Sequence, residues 1–164
     1  MHRFASFAAV AVLPLAVASS SGALAQQKTI KEMIAGSWSI VSAIDKYEDG
    51  TSKNPWGPGV KGNTLFDGNG HFSQILISGP EASMKTADPR RPDAYVVAYY
   101  GTYTVNEADR SISTKLEYAA YSARAGAQFT WKVSGSGDAL TFVGSPRKDQ
   151  HGTFSPIIEI KRVK

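Results

Sequence analysis

A two-residue alternation of apolar and polar side chains is the feature of this 164-residue sequence that most limits its fold. Successive side chains of a β-strand point to opposite faces, so the alternation is typical of strands that are buried on one side. Eight short segments show it, with turn-forming residues between most of them. The segments are 37–46, 62–66, 71–78, 99–105, 111–118, 127–134, 139–145 and 157–163. The pattern predicts an all-β fold.

Turn sequences between the segments predict how the strands connect. "DGNG" at 67–70 and "GSGD" at 135–138 supply glycines for tight hairpins, and "NEADR" at 106–110 predicts a slightly longer turn. Hairpins join antiparallel neighbours, which indicates a meander. Such a meander either stacks as a sandwich or closes into a barrel, and closure removes exposed sheet edges. The interior of an eight-stranded barrel holds side chains or one small ligand.

Residues 1–25 have the pattern of a secretory signal peptide. "MHRF" is basic, "ASFAAVAVLPLAVA" is apolar, and "SSSGALA" ends in small residues. We therefore expect cleavage between Ala25 and Gln26, a periplasmic or secreted protein, and one domain over 26–164. The apolar run is shorter than the roughly 20 residues of a spanning helix, which argues against an N-terminal membrane anchor. No later segment is long and apolar enough to span a membrane, so no span is predicted in the mature form.

Three further segments interrupt the strand pattern. Thr29 and Glu32 have the spacing of a capping box, which predicts a short helix before the first strand. The stretches 54–62 and 79–98 are rich in proline and glycine and predict long loops. Long loops in compact domains are usually lids or binding loops, and both could lie over one mouth of a barrel.

Composition excludes several classes of function. The 18 basic and 14 acidic residues give a net charge of +4, and the basic residues are scattered without interleaved aromatics. This pattern does not favour nucleic-acid binding. The chain has no cysteine, so disulfides and thiol chemistry are excluded and the fold depends on packing.

Four stretches of the sequence are similar to those of a known family: "IAGSWSIVSA", "PWGPGVKGNTLFDGNGHFSQIL", "YYGTYTVNEADRSIS" and, more faintly, "IIEIKRV". They resemble the bacterial and fungal lipocalin-like domain proteins, which have calycin-type barrels. The most specific parts are Gly36 with Trp38, the hairpin at 62–70, and "YGTY" at 100–103. The resemblance implies an eight-stranded up-and-down barrel with a cavity for a small, mostly apolar molecule. It also implies a structural barrel floor in which Arg162 packs on the face of Trp38, with an alternative role of Trp38 as a ligand platform.

The more apolar face of each strand is taken as the interior. This choice gives a mostly apolar set with a few hydrogen-bonding groups, as in small-molecule sites. The candidate ligand-binding residues are Phe72, Gln74, Tyr100, Thr102, Tyr118 and Trp131. The alternative is that these side chains only fill the core, and a register shift of one residue would exchange the two faces.

Little in the sequence indicates catalysis, and no cofactor or metal site is predicted. His71 and His151 have no second histidine or carboxylate at metal-ligand spacing. Strand alternation places Glu117 and Glu159 opposite the apolar face. We expect an exported protein that binds a small apolar or amphipathic molecule. Two alternatives remain. One is an isomerase or cyclase that polarises its substrate with Tyr100, Tyr118 or Gln74, and the other is a protein-binding module that uses the long loops.

Overall fold

A capped helix precedes the first strand in the computed structural model, which describes residues 28–80 and 94–164. Helix α1, Ile30–Ile34, follows Thr29, whose hydroxyl oxygen accepts a hydrogen bond from the backbone N–H of Glu32 at 3.2 Å. The Glu32 carboxylate accepts one from the backbone N–H of Thr29 at 2.9 Å. The predicted helix and its capping box are confirmed. The predicted signal peptide lies outside the described residues.

The described residues form ten strands of one antiparallel sheet. A 3-10 turn, Ser122–Arg124, lies between β6 and β7. The strands are β1 Gly36–Tyr47, β2 Ser52–Lys53, β3 Lys61–Phe66, β4 His71–Ile77, β5 Val96–Asn106, β6 Ser111–Ala119, β7 Gln128–Ser136, β8 Ala139–Gly144, β9 Arg147–Asp149 and β10 Gly152–Arg162.

Pairing between β1 and β10 closes the sheet into a barrel. Trp38 lies opposite Arg162 in this pair, and Ile44 lies opposite Ile157. The other barrel neighbours follow the order β1, β3, β4, β5, β6, β7, β8 and β10. The predicted eight-stranded antiparallel barrel is therefore confirmed. Strands β2 and β9 are additions of two and three residues, too short to show an alternation in sequence.

One end of the barrel is filled by apolar side chains. Ile30 and Ile34 of α1 pack with the fully buried Trp38, and these three residues together with Arg162 are called the floor. An aromatic layer lies next to the floor. The ring of Phe66 is 5.9 Å from that of Phe142 and 5.2 Å from that of Tyr103. Close packing of rings across the interior leaves no space for a ligand at this end.

The predicted inward face of β5 is wrong by one residue. Tyr103 is buried and Tyr99 is largely buried, whereas Tyr100 is 49% exposed and Thr102 lies on the same outer face. Both faces of this strand carry apolar residues, so hydrophobicity alone does not select between them. Gly101 occupies an inward position but has no side chain, so this position does not help to identify the inward face from hydrophobicity.

A β-bulge reverses the orientation expected at the end of β6. Ile112, Thr114 and Leu116 are buried, and regular alternation would also turn Tyr118 inward. Pairing with β5 instead shifts by one residue between Leu116 and Tyr118, and Tyr118 is 66% exposed. An inserted residue changes the face of every side chain after it, which is why the expectation for Tyr118 is wrong.

Candidate functional site

A cavity of about 250 Å³ opens at the end of the barrel opposite the floor. Asp45 of β1 borders this mouth cavity, at about 20 Å from Trp38 for a strand rise of 3.3 Å per residue. Six strands and the loop that carries Trp56 contribute to the wall, which is mainly apolar and aromatic. Its principal side chains are those of Trp56, Val97, Tyr99, Phe129, Trp131 and Arg147.

Polar side chains beneath the mouth cavity bond to one another. The hydroxyl of Tyr99 donates to the Gln74 side-chain oxygen, and the Gln74 amide donates to Thr64 Oγ1 at 2.8 Å. Nearby, Thr114 Oγ1 donates to the carbonyl of Phe129 at 3.2 Å. The smaller space that these side chains border is only about 30 Å³, enough for a few water molecules at most. The mouth cavity is thus the part of the interior that is large enough for a ligand.

Burial keeps the Tyr99 phenol protonated. It raises the pKa of Tyr99 to about 12, although the positive charges of Arg124 and Arg147 act in the opposite direction. At neutral pH the hydroxyl is therefore neutral and remains the donor to Gln74. The layer offers a ligand a polar but uncharged surface.

Charged groups stand at the rim of the mouth cavity. The Arg147 guanidinium lies 4.7 Å from the ring centroid of Phe129 and 5.8 Å from that of Trp131, within the range of cation–π attraction. Burial lowers the pKa of Arg147, and the nearby charge of Arg124 lowers it further. Burial raises the pKa of Asp45, an effect that the charge of Arg147 partly offsets. Two cations and one carboxylate therefore share an aromatic rim.

Three of the six candidate ligand-binding residues lie in the interior. Gln74 and Trp131 border both the mouth cavity and the smaller space, and Phe72 borders the smaller space. The other candidates lie on the outside. Tyr100 and Tyr118 stack there with ring centroids 5.6 Å apart, and Thr102 follows on the same face.

The stacked tyrosines line a second, shallow groove of about 290 Å³ on the outer face of β4, β5 and β6. Its walls come from one side of a sheet, so a ligand there would keep much of its surface in water. In the mouth cavity, six strands and the Trp56 loop would enclose a ligand from several sides. Enclosure of most of the ligand surface is typical of small-molecule sites, which favours the mouth cavity.

The floor brings together the predicted pair of Trp38 and Arg162. The guanidinium carbon lies 4.1 Å from the indole centroid. Arg162 also donates to the carbonyls of Ala35 at 2.9 Å and Met33 at 2.8 Å, and Trp38 Nε1 donates to Ile34 at 2.6 Å. Arg162 thereby connects the last strand to the end of α1, and Trp38 is far from the mouth cavity.

The groups considered for catalysis lie away from the mouth cavity. His71 binds Asp67 at 3.0 Å in the β3–β4 turn, and His151 lies in an exposed turn. Glu117 and Glu159 are exposed on the outer face. Within the described parts of the chain, no cluster of acidic or histidine side chains could hold a metal ion. Helices long and apolar enough to cross a bilayer are also absent from residues 28–80 and 94–164.

Sequence comparison assigns the family. A family model described as a lipocalin-like domain matches residues 35–155, which run from the start of β1 into β10. The chain belongs to the lipocalin-like domain family. No curated protein sequence matches it significantly.

Two solved structures are similar to this lipocalin-like domain. A lipocalin-like protein from Bacteroides uniformis is 21% identical, with 79% of this chain and 98% of that chain covered and a TM-score of 0.42. An uncharacterized protein from Bacteroides eggerthii is 16% identical, with 78% and 98% covered and a TM-score of 0.41.

Several residues of the candidate site in the mouth cavity are not indicated by the sequence. Tyr99 and Val97 were missed because the face of β5 was misassigned. Arg147 and Asp45 come together only because β1 and β10 pair, and Arg147 lies in a strand of three residues. Trp56 carries a local signal, since a tryptophan between two prolines in a long loop is typical of a binding loop.

Proposed function

We propose that this lipocalin-like domain is an exported protein that binds a small apolar or amphipathic molecule in the mouth cavity. The observation that carries the proposal is the position of the free space. The barrel is filled at the floor and in the aromatic layer, whereas the mouth cavity of about 250 Å³ has aromatic walls and a few polar groups. Sites of this composition hold small molecules in other proteins.

The chemistry of the cavity supports binding over catalysis. The Tyr99 hydroxyl and the Gln74 amide are engaged with each other, and a pKa of about 12 makes Tyr99 a poor proton donor or acceptor at neutral pH. Neither His71 nor His151 borders the cavity. Turnover of a cyclisable or isomerisable substrate would instead favour the alternative of a cavity enzyme.

The affinity expected for such a site is modest. Burial of about 200 Å² of apolar ligand surface contributes at most about 5 kcal/mol before the cost of association. Additional contact with the aromatic rings and the polar rim can increase this value. Because 5 kcal/mol corresponds to a dissociation constant of about 0.2 mM, micromolar binding requires these additional contacts, and we expect dissociation constants in the high micromolar range or weaker.

Titration with the neutral fluorescent dye N-phenyl-1-naphthylamine tests the proposal. We expect a saturable fluorescence increase in the wild type. In Val97→Phe, a phenyl ring replaces an isopropyl group in the cavity wall and takes up ligand volume. Loss of most of the buried apolar contact should weaken dye binding by about tenfold or more.

Val96→Phe is the matched control, because this neighbour in β5 is 39% exposed and does not border the mouth cavity. Its dye affinity should stay within about twofold of the wild type, since its side chain points to the other face of the strand. No saturable binding in the wild type would refute the proposed function. Equal affinities in Val97→Phe and wild type would exclude the mouth cavity as the dye site.

Export is the second part of the proposal, supported by the basic, apolar and small-residue pattern of residues 1–25. We expect protein recovered from an exporting bacterial host to begin at Gln26, because the small residues before it match the specificity of signal peptidase. Intact-mass measurement checks this prediction. A mass that includes residues 1–25 would contradict cleavage.

A further inference from the structure

Arg147 is a half-buried cation in the mouth cavity with unused hydrogen-bonding capacity. Its guanidinium contacts the rings of Phe129 and Trp131 but makes no hydrogen bond and no ion pair within the described residues. A guanidinium carries five N–H donors, and those of Arg147 are open to the cavity, since the Tyr103 hydroxyl is the one buried side-chain polar atom without a partner among the described residues. Donors that face a cavity can be satisfied by a ligand.

The surrounding charges favour an anion at this position. Arg124 borders the same cavity from the 3-10 turn between β6 and β7, and its side chain also lacks a hydrogen bond within the described residues. Asp45 is the one carboxylate among the cavity residues described. Burial lowers the pKa of Arg147, so its charged form is poorly compensated. A second negative charge would compensate it.

The polar groups deeper in the cavity do not compete with Arg147 for an anionic ligand. Tyr99, Gln74 and Thr64 are bonded in series, which uses the Tyr99 hydroxyl hydrogen and one N–H of the Gln74 amide. The donors that remain, the second N–H of Gln74 and the hydroxyl hydrogen of Thr64, are neutral and bind an anion less strongly than a guanidinium does. A neutral hydrogen-bonding ligand would find few free donors there. An anion at the rim, by contrast, would reach the free N–H groups of Arg147 while its apolar part contacts Val97 and the aromatic wall.

We infer that the mouth cavity is selective for a carboxylic acid, whose carboxylate pairs with Arg147 and whose apolar part packs against Phe129, Trp131 and Val97. The inference rests on the proposed function and adds the chemical class of the ligand. The guanidinium carbon lies 4.7 Å and 5.8 Å from the centroids of the two rings, and the N–H edge of the group makes no hydrogen bond within residues 28–80 and 94–164. Arginine binds a planar carboxylate through such an edge with two parallel hydrogen bonds.

Calorimetric titration with two probes of equal shape tests the inference. Naphthalene-2-carboxylate is ionised at neutral pH, whereas naphthalene-2-carboxamide is neutral and nearly isosteric. We expect the purified protein to bind the carboxylate about tenfold more tightly than the amide at low salt. In Arg147→Met, which retains most of the apolar stem, the two affinities should become equal. In Arg124→Met the preference should only decrease, because Arg124 is exposed and screened by solvent.

Lys148→Met is the matched control, because it removes a positive charge from the exposed neighbour in β9. It should retain the carboxylate preference. Equal binding of both probes by the wild type, or an unchanged preference in Arg147→Met, would overturn the inference and leave the proposed function intact. If neither naphthalene probe binds but N-phenyl-1-naphthylamine binds saturably, the inference is likewise overturned and the proposed function remains intact. Failure of all three molecules would refute the proposed function itself.

Discussion

Replacing Trp38 by alanine is expected to lower the free energy of unfolding by about 3 to 5 kcal/mol. The indole is fully buried in the floor, where its Nε1 donates to the Ile34 carbonyl at 2.6 Å. Truncation would leave a cavity between α1 and the barrel. It would also remove the aromatic face beneath the Arg162 guanidinium. Urea denaturation followed by circular dichroism measures the change.

Trp56→Ala provides a matched control, since it removes the same side chain from the partly exposed loop at the mouth cavity. We expect a loss of only about 1 kcal/mol in stability, together with weaker dye binding. The free energy of unfolding of most domains is about 5 to 15 kcal/mol, so Trp38→Ala should remain folded in water. Similar losses of stability in the two variants would contradict the assignment of Trp38 to the floor.

The floor explains how the closed end can be rigid while the mouth is open. Arg162 donates to the carbonyls of Met33 and Ala35, so the end of β10 is bonded to the segment that links α1 to β1. These carbonyls lie at the end of a helix, where no further turn is present to supply donors. The same hydrogen bonds supply donors to the carbonyl groups at the helix end and hold together the two strands that close the barrel. The proposed ligand binding then involves only the other end of the barrel.

Much of the barrel could be predicted because its strands and hairpins are specified by patterns within short segments of the sequence. Alternation over 37–46 and 71–78 identifies β1 and β4 without knowledge of their neighbours, and "DGNG" identifies the hairpin between β3 and β4. In that hairpin, Gly68 and Gly70 have φ values of 77° and 107°, which glycine adopts without strain. Closure follows from the preference for protected sheet edges.

The candidate site could be predicted only in part, because its geometry depends on contacts that are distant in sequence. Phe72, Gln74 and Trp131 follow regular alternation and were placed inside. The orientation of Tyr118 depends on a bulge that forms only when β5 and β6 pair. Arg147 reaches the cavity through the pairing of β9 with β10, which no local pattern indicates.

Gly101→Ala is expected to lower the free energy of unfolding by about 3 kcal/mol. A Cβ at this position would lie 2.0 Å from the carbonyl oxygen of Lys115 and 2.9 Å from the backbone nitrogen of Glu117. Both are backbone atoms of β6 at the bulge, so they cannot rotate away as a flexible side chain would. Strands β5 and β6 would have to separate at this point. Chemical denaturation measures the loss.

Gly137→Ala, in the turn between β7 and β8, separates this clash from the general effect of replacing glycine. An added Cβ at Gly137 meets nothing within 4 Å, and the φ of 61° costs alanine only about 1 kcal/mol. Gly101→Ala should also weaken dye binding, because separation of the strands moves Tyr99, two residues away, at the base of the mouth cavity. Equal losses of stability in the two variants would contradict the predicted clash at Gly101 and would mean that the backbone of β6 can move at the bulge.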